Sequence, residues 1–302
     1  MGREKELQGS LFAAVAFSLW GLLPIYWKLL NGVSAVEILS HRIIWSFLFT
    51  AGFLFFYGKV KSLHALFQDP RRMRFIALGA FFVSVNWLVY IWAVNNNQVV
   101  ETSLGYYINP LVSFLIGVIV LGETTDKIKI LSIILALGGV AVIAVGNGRL
   151  PWISLALAFS FALYGLMKKK AQADALPALA LETALVTPLA LFYILVTAGP
   201  GSAFGNAGVL VHFLLIFSGV ATALPLFFFA LATNRIPLST LAFLQYLAPT
   251  INLILATLIY KEPFAVFHVA GFSLIWAGIL FFSFSRWREY RRLNRHEKAG
   301  PA

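Results

Sequence analysis

The sequence NWLVYIWAVNNNQVVETSLGYYINPLVSFLIGVIVLGETTDKIKILSIILALGGVAVI, residues 86–143, occurs twice. Moved forward by 139 positions it lies on residues 225–282 without a gap: Ala93 falls on Ala232, Asn95 on Asn234, Tyr107 on Tyr246, Pro110 on Pro249, Glu123 on Glu262 and Gly139 on Gly278. Apolar residues match one another cheaply, so the polar and proline coincidences carry the weight. A repeated Tyr-x-x-Pro-x12-Glu frame marks a duplicated unit.

The unit belongs in a membrane. The chain is 60% hydrophobic and only 12% charged, with a mean hydropathy of +0.84, whereas roughly a quarter of a soluble domain is charged. A hydrocarbon core ~30 Å thick takes ~20 apolar residues per helical crossing. Ten such runs fall near residues 9–30, 34–57, 74–94, 99–121, 129–146, 151–168, 175–197, 209–232, 238–260 and 264–285. They are continuous, without the period-two alternation of a β-barrel strand. The expected fold is therefore all-α and polytopic, with ten transmembrane helices. Arg3 and Lys5 precede a first run that is long for a signal peptide and lacks a small-x-small cleavage site, so a retained signal anchor is expected. With no cysteine in the chain, thiol ligands and disulfides are excluded.

The placement of charge gives an orientation. With the N-terminus in the cytoplasm and ten spans threaded, nineteen Lys and Arg fall on the cytoplasmic side, among them Lys59, Lys61, Arg71, Arg72, Lys168, Lys169, Lys170 and Arg235, and only Lys28, Arg149 and Lys261 fall outside. Basic residues in short loops stay in the cytoplasm. Both termini are expected there, with the basic tail 286–302 along anionic headgroups, which accounts for the net charge of +11 without nucleic acid. Five spans per copy is an odd number, so the second unit enters from the opposite face. Residues 1–148 and 149–285 then form two inverted five-helix repeats, the architecture of secondary transporters.

Polar residues within the spans supply the candidates for chemistry. Pro24 in the first run frees a backbone carbonyl, as a gating hinge or a fixed kink. Glu37 and His41, four apart, share a helix face, while Arg42 turns toward the neighbouring stripe. They suit a proton relay, an anion clamp or an interhelical ion pair, and Glu182 holds about the same place in the second half. Glu101, Gly105 and Asn109 line one stripe facing the interior. Asn86, Tyr90, Tyr106 and Tyr107 add rings and amides suited to an amphipathic organic solute. The second half repeats that logic with Gln245, Pro249 and Asn252, but Thr240 replaces the carboxylate. That asymmetry singles out Glu101 for coupling or substrate contact. No metal, nucleotide or cofactor motif is present, so gradients or exchange must supply energy.

The runs HRIIWS from His41, NWLVYIWAVNNNQVVETSLGYYINPLV from Asn86, LGE ending at Glu123, LAFSFALYG ending at Gly165 and LSTLAFLQYLAPT ending at Thr250 resemble the RarD branch of the EamA family, in the drug/metabolite transporter superfamily. The resemblance spans residues 20–287. It implies two inverted EamA repeats in a bacterial inner membrane and a central cavity lined by helices one, three, four, six, eight and nine. Trp20, Asn86, Tyr90, Glu101, Tyr106, Asn109, Tyr164, Gln245 and Asn252 are the lining candidates it favours. It implies a peripheral second helix, which weakens Arg42 as a substrate clamp, and export of metabolites such as amino acids or amphenicol-like compounds. The partners expected are a small-molecule substrate, the lipid bilayer and protons or a counter-solute. Alternatives are a facilitated-uptake permease, a scaffold or sensor without flux, and a membrane-embedded enzyme.

Overall fold

The computed structural model describes residues 2–58, 60–122, 125–199, 202–203, 208–233, 235–236, 240 and 244–298. Glu123, Asn234 and Pro237 lie outside them. The described residues are helical with connecting turns: α1 (Gly2–Lys28), α2 (Ala35–Phe56), α3 (Val60–Phe67), α4 (Pro70–Asn95), α5 (Val99–Leu121), α6 (Lys127–Asn147), α7 (Trp152–Ala171), α8 (Ala175–Thr197), α9 (Val209–Thr233), α10 (Leu247–Ile254) continuing as a π-helical turn (Leu255–Ile259), and α11 (Val266–Lys298).

Local chemistry sets the boundaries. Ser34 accepts the Glu37 N–H at the start of α2. Asp69 accepts from Arg71 and Arg72 at the start of α4, with Pro70 in the first turn, where its missing N–H costs nothing. Asp126 accepts from Lys129 at the start of α6. Gly122 and Gly148 end α5 and α6 in the left-handed conformation, φ 67° and 65°, which glycine adopts without a Cβ clash.

Eight of these helices are long and apolar enough to cross a membrane. Between 28% and 50% of each apolar stretch is buried in the protein, and the outer faces carry residues such as Phe56, Val145 and Val209, each more than 80% exposed. A soluble protein would not leave such a surface to water; the chain is a multi-pass membrane protein. The sixth expected run forms α7, whose last turn holds Lys168, Lys169 and Lys170. In the ninth expected run, Leu247–Ile259 forms a shorter apolar helix, and residues 238–239 and 241–243 are outside the described set. The short helix α3 was not anticipated, since its eight residues are too few to register as a crossing.

Helix α6 packs along α11, α7 against both α4 and α5, and α1 against both α9 and α10; α2 joins α8 to α9, α5 meets α10, and α4 meets α8. Small residues let the backbones approach, as membrane interfaces favour. A Cβ on Gly139 would lie 2.5 Å from the Gly271 carbonyl oxygen, and one on Gly278 would lie 2.8 Å from that of Ser132. These are one contact made twice, because 132 plus 139 is 271 and 139 plus 139 is 278. Tyr107 and its repeat equivalent Tyr246 stack on each other, 6.2 Å between centroids at 17°.

Candidate functional site

The centre of the bundle holds an aromatic and polar cluster built on α1, α2, α4, α5, α9 and α10. Arg42 of α2 is buried at 3% exposure. Its guanidinium lies 4.1 Å from the Trp87 ring centroid and 5.1 Å from that of Trp27, and its Nε donates to Thr222 Oγ1 at 2.8 Å. Nη1 has no hydrogen-bond partner among the described residues. The charge is felt by Tyr26, Tyr90 and Tyr106. The resemblance implied a peripheral second helix, but a long side chain carries the Arg42 headgroup inward to rings from α1 and α4.

The two tyrosines tie the cluster together. Tyr90 and Tyr106 meet edge to face with centroids 5.7 Å apart. Tyr106 donates to Asn86 Oδ1 at 3.1 Å, and the Asn86 amide donates to the Leu157 carbonyl and Ser160 Oγ, each at 3.0 Å. Asn252 donates to the Tyr90 hydroxyl at 3.4 Å while its own Oδ1 stays unpaired and buried. Six of the sequence candidates, Arg42, Asn86, Tyr90, Tyr106, Asn109 and Asn252, thus lie in or beside one network, Asn109 donating to the Ala158 carbonyl at 2.9 Å. Trp20 stands apart toward the other end of α1, against Phe17 and Phe229. Gln245 is half-buried in the turn before α10.

Glu101 is elsewhere. Its stripe with Gly105 and Asn109 does face the interior, and what it meets is α7. A Cβ on Gly105 would lie 2.8 Å from the Ser154 carbonyl oxygen, and Ser154 Oγ donates to the Glu101 carbonyl at 2.8 Å. The Glu101 carboxylate sits beside the first-turn amides of α7 at Ile153 and Ser154, where the positive end of a helix favours an anion. Oε1 lies 3.6 Å from Arg149, and Oε2 makes no hydrogen bond.

Three other ionisable candidates, Glu182, Glu37 and His41, have separate settings. Glu182 of α8, 1% exposed, accepts from Lys168 at 3.1 Å and from Tyr164 at 3.0 Å. Glu37 accepts from Ser202 at 3.0 Å and lines a cavity of about 790 Å³ with Leu29, Val33, Ser34, Tyr193 and Val211. His41 accepts from Trp45 at 3.4 Å. Glu262 has a role that spacing does not reveal: its two oxygens accept the Val99 and Val100 N–H groups at 2.8 Å each, capping α5 from the opposite half of the chain. Burial raises the Glu262 carboxyl above its ordinary range, against the pull of those two amides and of Lys28. Lys28 donates to Asn97 Oδ1 and lies 4.2 Å from the Tyr260 ring centroid. The start of α5, the end of α1 and the loop after α10 are thereby fastened at one end of the bundle.

The family model for EamA-like transporters matches this chain twice, over residues 7–145 and 150–284. The chain belongs to that family. Within it the chain falls in the RarD branch. It is 45% identical over 299 residues to "Protein RarD" of Streptomyces exfoliatus, covering 98% of this chain and 95% of that one. It is 42% identical over 300 residues to an uncharacterized transporter of Bacillus subtilis, covering 98% and 100%. A solved structure titled "Crystal structure of protein" superposes with a TM-score of 0.59 at 14% identity, covering 90% of this chain and 96% of that one, which shows a shared fold. The first match ends at residue 145, in the last turn of α6, and the second begins at residue 150, before α7.

Proposed function

We propose that this EamA-family chain is a secondary transporter that exports small amphipathic organic solutes, amino acids and amphenicol-like compounds among them, by alternating access between two inverted five-helix halves. One observation carries the reading: the principal helix-to-helix contacts map onto one another when the halves are exchanged. Counting α10 with its π-helical turn as the ninth crossing, exchange turns the contact of α4 with α7 into that of α9 with α1. It turns α5 with α7 into α10 with α1, and α2 with α9 into α8 with α4. It leaves α6 with α11, α2 with α8 and α5 with α10 in place. The stacked Tyr107 and Tyr246, being equivalents, mark the axis of that exchange. Two arrangements of equal energy cost are what such symmetry offers, each opening the shared centre to one side.

The orientation follows the basic residues, with both termini in the cytoplasm of a bacterium and the chain in its inner membrane. Lys28, Asn97, Tyr260 and Glu262 then form an outer closure, and the aromatic cluster beneath it receives the solute. Trp20 and Tyr164 lie on the inner path, and Gln245 at the turn where α10 begins. Glu101 is the coupling group: Oε2 is a buried carboxylate oxygen without a hydrogen-bond partner among the described residues, a place for a proton at the seam between α5 and α7. Glu37, His41 and Glu182 are secondary candidates on α2 and α8.

The test is flux in proteoliposomes containing purified protein, with labelled amino acids and amphenicols and an imposed pH gradient. Wild-type protein moves a solute in response to the gradient, and Glu101→Gln, folded and inserted, loses that response. A chain that moves no solute under any gradient would be a scaffold or sensor, and conversion of solute in place of movement would mark an enzyme.

A further inference from the structure

The guanidinium of Arg42 is the feature that packing alone leaves unexplained. Burying an unpaired charge in apolar surroundings costs several kcal/mol, and a protein ordinarily offsets it with a carboxylate. Arg42 makes no ion pair among the described residues. Its Cζ lies 4.1 Å from the Trp87 and 5.1 Å from the Trp27 ring centroid, Nε is fixed by Thr222, Tyr90 and Tyr106 lie within electrostatic reach, and Nη1 is unpaired among the described residues. Glu37, five residues earlier on the same helix, accepts from Ser202 and forms no ion pair with Arg42.

We infer that Arg42 is the recognition site for the anionic group of the transported solute, and that the solute class is a monoanionic organic acid: a carboxylate on an apolar or aromatic body. This rests on the transport reading above for the carrier and departs from it on the solute, which is neither the zwitterionic amino acid nor the neutral amphenicol named there. The planar fork of a guanidinium matches a carboxylate, and the Thr222 hydrogen bond and the Trp87 and Trp27 rings position the fork before the ligand arrives. Among the described residues Arg42 is the one Lys or Arg in the cluster, which suits one negative charge better than the two of a phosphate monoester. Among the described residues no carboxylate pairs with Arg42, so an ammonium beside it would lack a counter-charge, which selects against zwitterions. The unpaired Oδ1 of Asn252, whose amide bonds the Tyr90 hydroxyl, is a buried acceptor for one neutral N–H or O–H of the same ligand. The tyrosine and tryptophan faces supply the apolar contact.

The experiment compares four probes of nearly one shape on purified full-length protein: 3-phenylpropionate, its neutral amide, 3-phenylpropylamine and phenylalanine. A ligand that binds only folded protein raises the melting temperature. Wild-type protein is expected to respond to 3-phenylpropionate with an affinity at least about tenfold above that for the amide, as loss of a charge-assisted pair implies, and least to the amine. Arg42→Gln is expected to level acid and amide, and Arg42→Lys, which keeps the charge without the fork, to fall between. Equal response of wild-type protein to acid and amide overturns the inference even if both variants fail to fold, as does stronger binding of the amine or of phenylalanine. The same probes are followed by flux. Movement of the amide or amine with no preference for the acid refutes the anion site and leaves the transporter standing, whereas tight binding of the acid with no flux of any probe supports the site and refutes transport.

Discussion

Glu262→Ala isolates the cap that one half of the chain places on the other. In the wild type the carboxylate accepts two buried backbone donors, Val99 N–H and Val100 N–H, at 2.8 Å each. Val99 and Val100 are 0% and 6% exposed, so water does not replace the lost acceptor. An unsatisfied buried donor costs roughly 1–3 kcal/mol, which puts the loss for two at about 2–6 kcal/mol. At roughly 2–4 °C per kcal/mol, melting should fall by about 4–24 °C. Glu262→Gln keeps one acceptor oxygen and should lose about half as much. The titration has a definite sign. The folded carboxyl is raised by burial, so its contribution is complete below the ordinary carboxylate range and is lost as pH rises through the folded value. The gap between wild type and Ala is therefore widest in acid. Thermal melting across pH, with hydrogen exchange of the peptide that begins α5, measures all three quantities. Melting of Glu262→Ala within about 1 °C of wild type, with unchanged protection at Val99 and Val100, would refute the cap.

Lys168→Met should destabilise more than the double variant Lys168→Met/Glu182→Gln, because it strands a buried carboxylate at a cost of about 3–5 kcal/mol; a double-mutant cycle by thermal melting reads the difference. Gly139→Val should separate α6 from α11, since even a Cβ would sit 2.5 Å from the Gly271 oxygen, and overpacking costs about 1–3 kcal/mol or more. Gly52→Ala, with open space around its Cβ, should melt at or above the wild-type temperature. Asp126→Ala should lose an N-cap worth about 0.5–2 kcal/mol. Burial opposes ionisation of Asp126, but hydrogen bonds from Ser285, Lys129 and Ile128 outweigh it and hold the carboxyl below its ordinary range. Its contribution is thus present above the unfolded carboxyl range and fades as pH falls through the folded value, and melts of variant and wild type should converge in acid.

Length and hydropathy made the long crossings legible, because a bilayer imposes one length on every helix that spans it. Repetition was legible too, down to the pairing of Tyr107 with Tyr246 and Gly139 with Gly278 as equivalents, though only the fold brings the tyrosines into contact. Periodicity placed Glu101, Gly105 and Asn109 on one inward stripe, yet a stripe names a face and leaves open what that face meets; here it is the backbone of α7. Arg42 shows the opposite gap. The resemblance implied a peripheral second helix, yet α2 has the largest buried share of the eight long apolar helices, 50%, and its Arg42 reaches the central rings. The cap by Glu262 joins positions 162 and 163 residues apart, and no local spacing encodes such a partner. Thr222 and Trp27, both against Arg42, were silent in the sequence for the same reason.

The cysteine-free chain permits a direct test of alternating access with single cysteines on the two sides of the cluster: Val33→Cys in the cavity wall near Glu37 and Phe17→Cys in the small core beside Trp20. Each is labelled with a membrane-impermeant maleimide from its own side of oriented vesicles, with and without Glu262→Ala to loosen the outer closure. Labelling at Val33→Cys should speed up while labelling at Phe17→Cys slows, as one centre exchanges its exposure between two faces. Rates that rise together, fall together or stay fixed would contradict two halves rocking about a shared site.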